Sequence, residues 1–420
     1  MSSTTGLPVA PRKKIADLQI LRALAILWVL CAHLSLPAAL LAMVPNNPLP
    51  PFWIGIFGVE LFFVISGFIV TKTIIEGPSM SPGRFLSRRA FRLLPAILAF
   101  IVLSAVTALV AYRFASEDAW AIANLSVTRK EFLAQALSIL GGYHVNRVNQ
   151  PLYFNSAMWS LSVEFQFYAA FAAVLAVIAA LRLSHRLACV LIFSLTAALY
   201  ALIIWERLSI ATAGVVRSVN TDTLIYLTAW RFDFLALGAL TYFVSLTSVA
   251  NWRIGKVLAA AALCAPFAVA IACGDLLNAD ARRLLEGVGQ PVIGICFALA
   301  ALLASRENAF QGKDGLLYRG LLWIGNRSYS LYLVHYPVMA LVWVGILKLY
   351  PQAFSNPIFY GALQAALVLP ISAILADRSF VLIEQKDKAM LAWVRGIATS
   401  FPRGRPADAD SDRLSAETPK

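Results

Sequence analysis

Apolar runs long enough to cross a bilayer recur from Leu18 to Ile383, and they limit what this chain can fold into. About 20 apolar residues in a helix span the hydrocarbon core, and a helix satisfies its own backbone polar groups there. On that scale the sequence holds ten segments, near 18–40, 53–72, 93–112, 159–181, 187–206, 224–246, 257–274, 287–305, 323–347 and 358–383. Apolar residues make up 60% of the chain and charged residues only 14%, with a mean hydropathy of +0.74. Soluble domains carry about a quarter charged residues, so this chain lacks the polar material to coat a water-soluble globule. The sequence predicts an all-α, polytopic integral membrane protein of about ten transmembrane helices. Soluble multidomain, fibrous and disordered classes are excluded.

An even number of spans puts both termini on one side, and the positive-inside rule chooses the cytoplasm. With that orientation the inside segments hold Arg12, Lys13, Lys14, Lys72, Arg84, Arg88, Arg89, Arg92, Arg182, Arg186, Arg253 and Lys256, and a basic C-terminus. The net charge of +13 is then a signature of cytoplasmic loops rather than of nucleic-acid binding. The five cysteines all lie in apolar runs without a CxxC pair, which argues against disulfides and a metal site. The first run carries Arg22 and His33 and is too long for a signal-peptide core, so it is read as the first span. The organisation expected is a cytoplasmic tail over 1–14, one membrane domain over 15–385, and a cytoplasmic, disordered tail over 386–420. The longest connection, 113–157, lies outside; its apolar stretch Phe132 to Leu140 is too short to span.

Ionisable groups inside spans are costly, about 2.5–3.5 kcal/mol each on insertion scales, and those that persist are usually functional. Here they are Arg22, His33, Glu60, Glu164, Arg231, Asp233 and His335. Structural ion pairs account for some such residues, but less readily for the whole set. Arg22 and His33 are eleven residues apart, so they return to within about 20° of one helix face. Glu60 and Gly67 share a face of the second span. Arg88, Arg89 and Arg92 have the i, i+3 and i, i+4 spacings that let guanidinium groups converge at the cytoplasmic mouth, where they suit phosphate or, more simply, lipid headgroups. Ser160, Glu164 and Tyr168 share a face of the fourth span, and Ser328, Tyr332 and His335 a face of the ninth. Arg231 and Asp233 point 200° apart, so one of them is expected to pair elsewhere. By depth, His33, Glu60, Glu164, Arg231 and His335 are placed to meet in one outer-half cavity.

These motifs resemble the membrane-bound acyltransferase 3 family of bacterial O-acyltransferases acting on surface carbohydrates. The resemblance rests on Arg22-x10-His33, on Gly58 to Phe68 with Glu60 where Asp is usual, and on Arg89-x-x-Arg92. It also rests on Trp159 to Tyr168 and on Gly325 to Pro337. It runs from about Ile15 to Glu384. Phe165 departs from the pattern, replacing the second glutamate of the fourth-span motif. Fused members of the family carry an SGNH-type hydrolase domain after the last span, and none is expected in the stretch 386–420.

The resemblance implies transfer of an acyl group, acetyl by expectation, from cytoplasmic acyl-CoA to a hydroxyl of a surface or lipid-linked saccharide. It implies a multi-pass protein of the bacterial cytoplasmic (inner) membrane with no permanently bound cofactor. It makes His33 the leading catalytic residue and puts Arg22, Arg89 and Arg92 among those needed for activity. On chemical grounds His33 is the general base and Glu164 the carboxylate that orients it. Arg22, Arg88, Arg89 and Arg92 are expected to hold the donor. Glu60, Ser160, Tyr168, Arg231, Ser328, Tyr332 and His335 are expected to support the acceptor side, with Arg231 or Tyr332 near the oxyanion. No Ser or Cys lies in a nucleophile-elbow motif, which favours direct attack on the thioester, with a transient acyl-His33 left open. A homo-oligomer is also left open, with membrane lipids as surroundings. The rival reading is a secondary transporter or saccharide flippase using the midspan charges as a path. It finds no inverted repeat here. A sensory or scaffold protein would leave the Arg22/His33 stripe and the arginine cluster unexplained.

Overall fold

The computed structural model describes residues 15–44, 47, 49–77, 80–115, 156–212, 228–247, 255–276, 278–306, 315–386 and 389. The tail over 1–14, the stretch Phe132 to Leu140, His144 and the chain beyond 389 lie outside the described residues. Within them the protein is helical, with no strand.

The helices are α1 (Ala16–His33), α2 (Ser35–Leu41), α3 (Pro51–Ile75), α4 (Pro82–Phe114), α5 (Trp159–Ala180) and α6 (His185–Thr212). They continue with α7 (Thr228–Ser245), α8 (Gly255–Ala272), α9 (Ala279–Leu284), α10 (Gln290–Ala304), α11 (Leu316–Leu349) and α12 (Pro357–Leu382). One π turn, Leu285–Gly289, joins α9 to α10. Eight helical segments among the described residues are long and apolar enough to cross a membrane, α9 and α10 counting as one. The segments expected as the other two spans form helices α7 and α8, which are not among these eight. Helix α7 carries Arg231 and Asp233, and the apolar part of α8 is only Val257–Ala272. The protein is a multi-pass membrane protein.

The first span differs from the expected 18–40. It ends at His33, and a new helix starts at Ser35 after an extended Leu34. Pro37 is the physical cause. A continuous helix needs the N–H of residue 37 to bond the carbonyl of residue 33; proline has no N–H, and its ring crowds that carbonyl. Past the break, α2 packs on α12, where the Ser35 N–H donates to Gln364 Oε1 at 2.8 Å. His33 is thereby left at a helix end, half-buried rather than sealed in the core.

Helix α1 packs between α3 and α11, and α3 also packs against α7. Small residues set these approaches. A Cβ on Gly325 would lie 1.9 Å from the Gln19 carbonyl oxygen, so α1 and α11 meet backbone to backbone. A Cβ on Gly67 would fall 2.0 Å from the Leu235 oxygen, and one on Gly238 2.0 Å from the Val64 oxygen. In lipid, where hydrophobicity does not drive helices together, such close packing supplies much of the association.

Candidate active site

The stripe on α1 faces α11. Arg22 Nε donates to Ser328 Oγ at 3.1 Å, and the His33 ring lies 5.2 Å from that of His335. Both expected faces therefore meet, and the two helices run parallel. Ser328, Tyr332 and His335 are all buried on the α11 face.

A cavity of about 90 Å³ opens between α1, α3, α4, α5 and α11. Arg22, Arg89 and Arg92 line it together with Glu164 and Tyr168. Its apolar wall comes from α3, including Phe62 and Phe63. Arg89 stands over the Tyr168 ring at 5.3 Å, a cation–π contact that holds the guanidinium in place. Ser160, Tyr168 and Glu164 line the same cavity, as their spacing predicts, and Ser160 and Tyr168 are about 12 Å apart along α5. At Ser160 the cavity meets Tyr332, whose hydroxyl lies 2.7 Å from Ser160 Oγ and donates to the Ala157 carbonyl. The Tyr332 ring is 6.0 Å from that of His335. The arginine cavity thus ends at Tyr332, beside the histidine pair.

Three expectations change. Arg88 does not join Arg89 and Arg92; it is exposed and outside the cavity lining, and Arg22 makes the third guanidinium instead. The inward face of α4 is set by buried Phe85, Leu93 and Ala96, which carries positions 89 and 92 inward and leaves 88 out. Glu164 accepts from Ser66 Oγ on α3, and no hydrogen bond joins it to His33 among the described residues. Finally, Glu60 and Arg231 do not meet the histidines. They belong to a separate buried network.

In that network Arg231 pairs with Glu60 and with Glu286 at 3.3 Å. Arg207 pairs with Asp233 at 2.8 Å and Glu286 at 2.9 Å, and also donates to the Glu286 carbonyl. Arg231 and Asp233, expected to pair in different places, both enter this one network, linked through Arg207 and Glu286. All five side chains are almost completely buried. Glu286 sits in the π turn, a distortion that redirects a carbonyl and is common at functional positions. The sequence pattern missed Arg207 and Glu286 because each lies one residue beyond an expected apolar segment, so hydropathy does not place them inside a span. Ser66, Tyr329 and Phe62, which line the cavity, were missed because ordinary core residues look the same in sequence. Phe165, in place of a carboxylate, packs against Tyr168 at 6.5 Å between ring centres.

A family model described as an acyltransferase domain matches residues 15–377. The chain belongs to this acyltransferase family. Among curated relatives, the peptidoglycan O-acetyltransferase OatA of Listeria monocytogenes is 25% identical over 396 residues, covering 89% of this chain and 56% of the relative. The O-acetyltransferase OatA of Staphylococcus aureus is 25% identical over 344 residues, covering 79% of this chain and 52% of the relative. The chain spans about half the length of these relatives. No solved structure matches it.

Proposed function

We propose that this acyltransferase-family protein is an O-acyltransferase of the bacterial inner membrane. It moves an acyl group, acetyl by analogy with the relatives, from cytoplasmic acyl-CoA to a hydroxyl of a saccharide outside or lipid-linked. The observation that carries this reading is the cavity that gathers Arg22, Arg89 and Arg92 and runs to Tyr332 beside the His33–His335 pair.

The phosphates of CoA are too costly to desolvate, so the nucleotide stays at the arginine end, held by charge-assisted contacts. Its neutral pantetheine arm enters the cavity and brings the thioester toward His33. One ring nitrogen of His33 takes the hydroxyl proton while the acceptor oxygen forms its bond to the thioester carbonyl carbon. The C–S bond then breaks, and His33 returns the proton to the leaving CoA thiolate. Ser160 and Tyr332, whose hydroxyls bond each other and the Ala157 carbonyl, would have to turn an O–H from these partners to the thioester carbonyl oxygen as negative charge develops there. Glu164 offsets part of the arginine charge inside the cavity.

Purified protein in liposomes, given labelled acetyl-CoA and peptidoglycan-derived saccharide, tests the reading. It predicts CoA release and an acylated saccharide. Solute or saccharide movement with no donor consumption would instead support a transporter.

A further inference from the structure

Among the described residues His33 has no carboxylate partner of the kind a histidine base ordinarily uses, and Glu164 accepts from Ser66 in the arginine cavity. Its ring neighbours are His335, at 5.2 Å between ring centres, and Tyr336, edge-on at 5.9 Å. His335 is 1% exposed, and its two nitrogens are treated differently. Nδ1 lies 3.1 Å from the Leu331 carbonyl oxygen, which can only accept, so Nδ1 carries the proton. Nε2 of the neutral ring is then an acceptor, and it has no hydrogen-bond partner among the described residues. A histidine that only joined helices would place both nitrogens on protein groups, because an unsatisfied buried polar atom is destabilising.

We infer that His335 is the positioning residue of the reaction: its Nε2 accepts the N–H of His33 and turns the other His33 nitrogen, as a base, toward the acceptor hydroxyl. This inference rests on the reading of His33 as the base. A ring nitrogen lies about 1.2 Å from its ring centre, so the centre separation leaves room for an in-line N–H···N bond of roughly 3 Å. Half-buried His33, at the helix end that Pro37 creates, has the freedom to turn its ring into that bond when the substrates arrive. The line from the Leu331 carbonyl through His335 and His33 to the hydroxyl has the logic of a base, its orienter and a fixed tautomer, with imidazole in the place of the carboxylate.

Single-turnover transfer and acetyl-CoA affinity in purified His335→Ala, His335→Asn, His335→Gln and His33→Ala proteins test it. Both His335→Ala and His335→Asn should lose about 100-fold or more in transfer while binding acetyl-CoA as the parent protein does. Gln, whose side-chain oxygen reaches the Nε2 position, should recover about tenfold over Asn, a rescue that a packing role does not give. In ¹⁵N-histidine spectra, simplified by there being four histidines, the resonance lost in His335→Gln should be that of an Nδ1–H tautomer. Normal transfer in His335→Ala, equal loss in Gln and Asn, or an Nε2–H tautomer overturns the inference. Normal transfer in His33→Ala overturns the proposed base itself, so the two failures are distinguishable. If His335→Ala does not fold, the Gln and Asn comparison decides.

Discussion

Among the four arginines expected to hold a donor, position on the helix separates partners from bystanders. Arg89 and Arg92 share the buried face of α4, whereas Arg88, one residue and about 100° away, points out. Replacing Arg89 by Ala should remove a charge-assisted contact of about 1.5–3 kcal/mol and weaken acetyl-CoA binding in titration calorimetry. Arg88→Ala should leave that affinity unchanged. Equal losses at the two positions would place the donor on the surface arginines and not in the cavity. The same comparison separates the remaining histidines. His185 Nε2 lies 3.1 Å from the Ile75 carbonyl, and its ring also contacts Cys189. His185→Ala should therefore retain transfer in the single-turnover assay.

Helix ends and helix contacts decide where these side chains are offered. Pro37→Ala should let α1 continue past residue 34 and draw His33 away from His335. The expected outcome is a folded protein that binds acetyl-CoA and transfers slowly; unchanged transfer would show that the break does not matter. Gly325→Ala forces α11 off the Gln19 carbonyl, an overpacking cost of about 1–3 kcal/mol. It should lower the thermal unfolding midpoint and transfer together, since Arg22–Ser328 and His33–His335 lie on the same contact. Helical spacing alone made the Arg22/His33 stripe and the faces of α5 and α11 legible, because a 3.6-residue period fixes which side chains share a side. The break at Pro37 was also written in the sequence, but hydropathy averages across it. The ends at Arg207 and Glu286 were not legible. A charge reads as solvent until its buried partner is known, and their partners lie on other helices.

At the scale of the whole molecule, two of the polar assemblies among the described residues have different consequences. The cavity and histidine pair join α1, α3, α4, α5 and α11, while the five-residue ion network ties α3 and α7 to α6 and to the π turn before α10. Depth along the bilayer made one site look plausible, because it gives no information about which helices are neighbours. Removing Glu286 leaves both arginines short of a carboxylate, so Glu286→Ala should cost about 3–5 kcal/mol and appear as a lower midpoint in thermal unfolding. The orientation that the basic loops predict is tested by reporters: one after Arg186 should read cytoplasm and one within 113–157 the outside. A cytoplasmic signal from the latter would invert the donor side.

The central claim is that donor binding in the arginine cavity and proton transfer at the histidine pair beside it occupy separate places. It is tested most directly by measuring acetyl-CoA affinity and single-turnover transfer side by side in purified His33→Ala and Arg89→Ala/Arg92→Ala proteins. The account predicts that the His33 variant binds donor normally and does not transfer, and that the double arginine variant binds donor poorly. Normal transfer by the first, or normal donor affinity in the second, would contradict it.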